Sequence, residues 1–240
     1  MRADQRASHS MRPVRIQCGV SPYAEGSADV SFGNTRVLVT ASVEREVPDW
    51  LKARQEGWIT AEYGMLPRST HTRNRREASA GKQSGRTLEI QRFIGRALRA
   101  AIDLRSIGPV TIRLDCDVLC ADGGTRTAAA SGAWVALAQA LEYLERERLV
   151  SGRVPIKQVA AVSVGRIGSE YLLDLAYEED SRADFDLNLV FSEDGEIVEI
   201  QGTAERKNFR RDELAPLIDL AYSGVEVIFS AQRNALNQRA

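Results

Sequence analysis

The sequence predicts an α+β fold in a single domain of 240 residues, and three observations support this prediction. Segments of alternating apolar and polar residues, typical of strands, form two groups along the chain. A segment with helical periodicity follows the first group, and helical segments also flank the second. No linker of changed composition separates the groups, so one domain, 1–240, is expected, with two possible similar halves at about 1–105 and 106–240.

The first half is predicted to hold three strands, a long loop and a helix. The strands are predicted at 14–18, 28–32 and 36–44. Residues 46–86 show little periodicity and contain prolines, so they are interpreted as a loop. From Thr87 onward apolar residues recur every four positions, which predicts a helix capped by Ser84 or Gly85.

The second half begins with a predicted strand at 110–120 and a long helix at 127–149. Four further strands are predicted at 158–165, 170–177, 184–192 and 196–203. Two terminal helices are predicted at 211–222 and 225–238. Together these elements predict mixed sheets packed against helices.

Composition is ordinary for a soluble globular protein, with 43% hydrophobic and 27% charged residues. No apolar run approaches the roughly 18 residues of a membrane span, so no membrane partner is expected. The three cysteines are scattered and odd in number, which argues against a disulfide framework. A reducing cytoplasmic location is therefore predicted.

The charges are segregated although the net charge is only −1. Residues 68–105 contain nine arginines and one lysine against three acidic residues, whereas residues 174–199 contain ten acidic residues against one arginine. A basic block attracts polyanions and an acidic block attracts cations. A solvated surface remains the alternative for either block taken alone.

The stretch DGGTRTA at 122–128 directly precedes the long helix. Free N–H groups and a partial positive charge mark the start of a helix, and glycines let the backbone approach a ligand closely. With Gly124, Thr125 and Arg126 this arrangement predicts a phosphate-binding cradle. The alternative is simple capping, in which Thr125 or Thr127 caps the helix and the glycines only turn the chain.

A second stretch, GKQSGRT at 81–87, also places a glycine, a hydroxyl and an arginine at a helix start. It is not a Walker A loop, because Arg76 stands where the first glycine of that motif is required. Two such helix starts suggest that Arg86 and Arg126 grip one phosphate from two sides.

Two charged segments complete the candidate site. Four arginines within nine positions, among them Arg68, Arg73 and Arg76, suit an RNA backbone, although a disordered basic loop or a subunit contact is the alternative. In the acidic segment 178–188, strand periodicity places Asp184 and Asp186 on one face, with Asp180 before them. Such carboxylates predict a Mg²⁺ site, and a surface acidic hairpin is the alternative.

Histidines are too few for most side-chain nucleophile mechanisms. The chain has only His9 and His71, so no Ser-His-Asp set and no zinc cluster can be assembled. A mechanism that depends on a bound metal and bound anions fits these residues better than one that uses a side-chain nucleophile.

Five long stretches resemble the ribonuclease PH family, the bacterial phosphorolytic 3′→5′ exoribonucleases of tRNA maturation. They are GWITAEYGMLPRSTHTRNRRE, GKQSGRTLEIQRFIGRALRA, LDCDVLCADGGTRTAA, YEEDS with FDLN, and QGTAE. The resemblance covers nearly the whole chain, and its motifs are long and ordered.

The resemblance implies a fold like that of ribosomal protein S5 domain 2 and a homohexamer built as a trimer of dimers. It implies that inorganic phosphate, as co-substrate, attacks the last phosphodiester bond of a tRNA precursor or another RNA 3′ end and releases a nucleoside 5′-diphosphate. Site residues carried over are Arg86, Gly124, Thr125 and Arg126 for phosphate; Asp180 and Asp186, with Arg126, for catalysis; Asp180 and Asp186 for Mg²⁺ (or Mn²⁺); and Arg68, Arg73 and Arg76 for tRNA. A hydrolytic metal-dependent exoribonuclease and a non-catalytic RNA-binding ring subunit are the alternatives.

The chain departs from the family pattern at three places. The family often opens Arg-Pro-Asp-Gly-Arg, whereas residues 2–6 read RADQR. Ala176 stands where an acidic residue is common, which puts a third carboxylate in doubt. Arg206 replaces the usual glycine after Glu205.

Overall fold

A computed structural model of the chain describes residues 2, 4–54 and 56–238. Its strands are β1 Val14–Cys18, β2 Gly26–Phe32, β3 Thr35–Glu44, β4 Trp58–Met65, β5 Thr111–Cys120, β6 Val159–Ile167, β7 Glu170–Leu173, β8 Phe185–Ser192 and β9 Ile197–Ala204. Its α-helices are α1 Glu77–Ala80, α2 Gly85–Ala100, α3 Thr125–Arg146, α4 Tyr177–Asp180 and α5 Leu214–Asn237. Short 3₁₀ helices span Asp49–Arg54, Leu104–Ile107 and Arg211–Glu213.

The strands form two sheets. The first has the order β1-β2-β3-β5-β4 and is antiparallel except for the parallel pair β4 and β5. The second has the order β7-β6-β8-β9 and is antiparallel throughout. The predicted α+β class, with mixed sheets packed against helices, is confirmed.

Helix α3 lies between the two sheets and is buried along most of its length. It packs on β2, β3 and β5 of the first sheet and on β6 of the second. Its small side chains allow this close packing: a Cβ atom added at Gly132 would lie 2.6 Å from Val30 Cγ1. A helix that is apolar on all sides is typical of such a central position.

The prediction of an unstructured loop over 46–86 is wrong for its central part. Strand β4 occupies Trp58–Met65, with Ile59, Ala61 and Tyr63 facing the core. Its hydrogen-bonding partner is β5, which lies about 50 residues later in the chain and runs parallel. Because a parallel pair needs a long crossover, no local turn signal marks this strand.

Two predicted boundaries in the second half are also wrong. The strand predicted over 170–177 ends at Leu173, and a single helical turn, α4, ends at Asp180. The two predicted terminal helices are one continuous helix, α5, which passes through Gly224. A Cβ atom at Gly224 would lie 2.7 Å from Leu173 Cδ1, so this glycine permits close packing and does not break the helix.

Strand β5 begins after the suggested boundary at about residue 105, yet it belongs to the first sheet. The division of the chain into two similar halves stays a prediction.

Within the described residues, one helical region, Arg211–Asn237, is long and apolar enough to cross a membrane, and 33% of its most apolar window is buried. One face of α5 packs on β6 and β1. A single helix of this kind is weak evidence for a membrane span, because core helices of soluble proteins share its length and composition.

Candidate active site

The predicted phosphate-binding and metal-binding residues line one cavity of about 870 Å³. It lies where the start of α2, the start of α3, the end of α4 and strands β8 and β9 meet. The predicted residues in its lining are Arg86, Gly124, Thr125, Arg126, Asp180 and Asp186. The basic and acidic blocks of the sequence therefore meet at this cavity.

The glycine pair shapes the turn that begins α3. Gly123 and Gly124 have φ values of 74° and 66°, in the left-handed region that favours glycine. Gly124 is the N-cap residue and supplies no side-chain cap. Thr127 Oγ1 donates to the Gly124 carbonyl at 2.9 Å, and Thr125 Oγ1 lies 2.8 Å from the Tyr63 hydroxyl. Neither threonine caps the helix, so the capping alternative is wrong and the first-turn amides lack a side-chain cap.

Helix α2 contributes to the cavity differently. Ser84, one of the two predicted caps, caps it by accepting a hydrogen bond from the Thr87 amide at 3.1 Å, and Gly85 is the first helical residue. Since a side chain already occupies this helix start, α2 offers the cavity the Arg86 guanidinium and not a free helix end. The two helix starts are therefore not equivalent donors.

A chain of polar contacts holds Arg126 in the cavity wall. Its Nη1 donates to Glu89 Oε1 at 3.0 Å and to Gln201 Oε1 at 2.9 Å. Gln201 Nε2 in turn donates to Glu199 Oε1 at 2.8 Å, and Glu199 is paired with Arg96. The two hydrogen bonds of this one nitrogen orient the guanidinium that an anion would meet.

Burial disfavours the ionised form of both aspartates. Burial, together with the nearby negative charge of Asp180, raises the pKa of Asp186 to about 6. The positive charge of Arg126 lowers this pKa, but by less than burial and Asp180 raise it. Burial also raises the pKa of Asp180, against the lowering by Arg86 and Arg126. The positive charges of Arg86 and Arg126 both favour the ionised form of Asp180, and the charge of Arg126 also favours that of Asp186.

These carboxylates fit a hard divalent cation. Mg²⁺ commonly takes one or two protein carboxylates and keeps several waters, and a cation between Asp180 and Asp186 would relieve their repulsion. Asn188 Nδ2 donates to Asp186 Oδ2 at 3.1 Å and orients it. Among the residues that the structure describes, no group of three or more His, Cys, Asp or Glu side chains forms a metal-binding cluster, so a carboxylate pair is the largest candidate.

Two family models match this chain, in consecutive parts of the sequence. The model described as "3′ exoribonuclease family, domain 1" matches residues 10–141, and that for domain 2 of the same family matches residues 157–224. The chain belongs to the 3′ exoribonuclease family.

Solved structures share the fold of this family member at low sequence identity. An archaeal exosome core chain aligns with a TM-score of 0.75 at 22% identity, covering 98% of this chain and 90% of that one. Rrp46 from rice, Oryza sativa, aligns with a TM-score of 0.79 at 18% identity, covering 98% of this chain and 100% of that one. A chain of an Archaeoglobus fulgidus exosome with RNA bound to the active site aligns with a TM-score of 0.77 at 24% identity, covering 99% of this chain and 92% of that one.

The sequence reasoning assigned no role to several residues of this family member's cavity. Glu205 is the most consequential, since its charge raises the pKa of both Asp180 and Asp186. The other unassigned lining residues include Glu89, Ser163, Asn188, Gln201 and Arg206. The QGTAE stretch was the available signal for Gln201 and Glu205, because it carries the family resemblance.

Asp184 does not join the cavity, although strand periodicity placed it beside Asp186. It lies just before β8, and its carboxylate is 3.5 Å from Arg166 Nε and 3.4 Å from Lys207 Nζ. It also accepts a hydrogen bond from the Gly168 amide at 3.2 Å. These partners hold Asp184 in a separate structural ion network.

The arginines predicted to bind RNA lie outside the central cavity and are exposed. Arg76 lines an adjoining cavity of about 750 Å³ that shares Arg86 with the central one. Arg68 lines a different cavity of about 1070 Å³, on the side of the Asp122 turn. Arg73 lies in the same basic segment, exposed to solvent.

The three departures from the family pattern have different structural positions. Gln5, at the usual glycine, has a φ of 62°, in the left-handed region that is costly for a residue with a Cβ atom. Ala176 is the N-cap residue of α4 and lines the neighbouring cavity and not the central one. Arg206 lines the central cavity and donates to the Ser181 carbonyl at 3.0 Å.

Proposed function

We propose that this chain is a phosphate-dependent 3′→5′ exoribonuclease of the bacterial ribonuclease PH type, a tRNA nucleotidyltransferase. It trims the 3′ ends of tRNA precursors, and of other RNAs, and releases nucleoside 5′-diphosphates. One observation supports this most strongly: an uncapped helix start and two guanidinium groups share a cavity with a carboxylate pair.

The chemical problem is to bring anionic phosphate against an anionic phosphodiester. Arg86, Arg126 and the first-turn amides of α3 offset this repulsion and hold the phosphate in one orientation. One phosphate oxygen then attacks the terminal phosphorus, and the bond to the 3′-oxygen of the remaining strand breaks. The products are a nucleoside 5′-diphosphate and an RNA that is one nucleotide shorter.

Asp180 and Asp186 would hold Mg²⁺ (or Mn²⁺) in this reaction. The bound cation supplies charge stabilisation for the phosphoryl oxygens and the departing oxygen. Asn188 fixes the Asp186 carboxylate, and Glu205 adds negative charge beside both aspartates. The cavity contains no histidine in its described lining, which agrees with a reaction that needs no side-chain nucleophile.

Partners and location follow from the same proposal. Arg68, Arg73 and Arg76 grip the tRNA backbone beyond the terminal nucleotide. The active assembly is a homohexameric ring, a trimer of dimers, in the cytoplasm. An exosome with RNA bound to its active site shares this fold, which supports the proposal of an RNA substrate.

The identity of the released nucleotide tests the proposal. A 3′-extended tRNA is incubated with the protein and Mg²⁺, with and without inorganic phosphate. Nucleoside 5′-diphosphates that appear only with phosphate are expected. Monophosphates released without phosphate would indicate hydrolysis instead, and binding without any shortening would indicate a non-catalytic ring subunit.

Arg206 is expected to add one phosphate contact at the cavity. Replacing it by alanine should make the negative slope of log affinity against log salt for single-stranded RNA less steep by about 0.7, the value of one contact with a backbone phosphate. Filter binding across a salt series measures this slope. Arg182→Ala is the matched control, because Arg182 is exposed nearby and bonds the Glu178 carbonyl outside the cavity lining. Equal slopes in the wild type and Arg206→Ala would refute the contact.

A further inference from the structure

Arginines of the N-terminal segment converge on two carboxylates beside the cavity. Arg2 forms a two-point ion pair with Glu179, with distances of 2.6 and 2.7 Å. Arg12 forms a two-point pair with Asp174: its Nε donates to Oδ2 at 2.9 Å and its Nη2 to Oδ1 at 2.6 Å. Arg6 lies 3.4 Å from Asp174 and 3.5 Å from Glu179. All of these side chains except Arg6 are at most 5% exposed.

Arg12 also bonds the turn that begins the phosphate cradle. Its Nη1 donates to the Asp122 carbonyl oxygen, and its Nη2 donates to the Gly123 carbonyl oxygen at 3.4 Å. The Arg12 backbone amide donates to Asp174 Oδ2 at 2.8 Å. One guanidinium thus joins the glycine turn to Asp174.

Asp174 and Glu179 belong to the segment that leads into Asp180. The Asp174 amide donates to the Ser163 carbonyl at 2.7 Å, and Glu179 accepts from the Ala176 amide at 2.9 Å. Asp174 is fully buried with a φ of 55°, a conformation that its surroundings must enforce. Asp180 is the next residue after Glu179, and its amide donates to the Ala176 carbonyl at 2.9 Å, so these contacts hold the backbone that carries its side chain.

The glycine turn and this segment are in direct contact. A Cβ atom at Gly123 would lie 2.5 Å from the Leu175 carbonyl oxygen and 2.8 Å from the Tyr177 amide nitrogen. Arg12 itself lines the neighbouring cavity and not the central one, yet its charge lowers the pKa of Asp180. Arg12 is therefore close enough to hold the glycine turn and the Asp180 segment in place, although it does not line the cavity proposed to bind phosphate.

Buried ion pairs contribute little net stability, because desolvation offsets their attraction. The pair nevertheless spans the two walls that the proposed reaction requires at a fixed separation. We propose that Arg12 and Asp174 are positioning residues for phosphorolysis, which hold the Gly123–Gly124 turn and the Asp180 segment in register. This inference rests on the proposed function.

The test is a paired replacement, Arg12→Met with Asp174→Asn, which removes both charges together and keeps a residue that tolerates positive φ. We expect kcat/KM for inorganic phosphate to fall about 10²-fold, the scale of a misplaced reactant, with the affinity for single-stranded RNA unchanged. Circular dichroism and thermal unfolding verify that the variant is folded.

The matched control is Arg166→Met with Glu213→Gln, which removes a second largely buried ion pair together with the contact of Arg166 with Asp184, and neither residue lines the central cavity. Unchanged phosphate kinetics in the Arg12 and Asp174 variant, or an equal loss in the control, would overturn the positioning role. If the wild type itself shows no phosphate-dependent release, the proposed function fails and not this inference alone.

If the paired variant does not fold, Arg12→Lys decides the question. Lysine keeps the positive charge beside Asp174 but lacks the planar fork that also reaches the two carbonyls. A rise of about tenfold in the KM for phosphate, with RNA affinity unchanged, is expected on the scale of one or two lost bonds. An unchanged KM for phosphate would contradict the proposal.

Discussion

Replacing Arg126 by alanine is expected to slow phosphate-dependent RNA shortening by about 10²- to 10³-fold, the usual effect of losing one positioned donor. The affinity for RNA should remain nearly unchanged, because Arg126 lies in the cavity wall and its exposed fraction is only 16%. Single-turnover shortening of a 3′-extended tRNA, together with filter binding, measures the two quantities separately.

Arg96→Ala is the control for Arg126. Arg96 lies at the far end of the same polar chain, paired with Glu199, and is absent from the cavity lining. If Arg126 acted only by supporting that chain, both variants would lose activity alike. Parallel losses of RNA binding and turnover in Arg126→Ala would also contradict a phosphate-binding role.

Replacing Asp186 by asparagine is expected to lower activity by at least about 10²-fold, and excess Mg²⁺ should not restore it. The amide keeps the shape of the side chain but removes the charge that a cation requires, and such a cation stabilises the transition state by several kcal/mol. Activity is measured at rising Mg²⁺ concentrations and at saturating phosphate.

Glu178→Gln is the matched carboxylate control. Glu178 belongs to the same acidic segment, is exposed, and lies outside the central cavity lining. We expect it to keep wild-type activity. An unimpaired Asp186→Asn enzyme, or one that high Mg²⁺ fully restores, would exclude Asp186 as an essential cation ligand.

The parts of the fold that local sequence controls were predictable, and those that distant contacts control were not. Strands β1 to β3 and helix α2 follow from alternation, periodicity and the Ser84 cap. Strand β4 depends on a parallel partner far along the chain, which leaves no local signal. The continuity of α5 through Gly224 depends on packing against Leu173 and is equally invisible in sequence.

The candidate site shows the same division. Glycines, hydroxyls and arginines at helix starts pointed to Arg86 and Arg126, because that chemistry is encoded within a few neighbouring residues. The assignment of roles to these residues stays a prediction. Glu205 and the Arg12–Asp174 pair could not be derived from local pattern, since their positions arise only when β9 and the N-terminal segment fold against the cavity.

The most direct test of the account is a crystal soaked with Mn²⁺ and inorganic phosphate and measured for anomalous scattering. We predict a manganese peak at the carboxylates of Asp180 and Asp186, and in the same cavity a phosphate in contact with Arg86, Arg126 and the amides at the start of α3. A phosphate bound elsewhere, or manganese bound away from both aspartates, would contradict the shared site on which the proposed reaction depends.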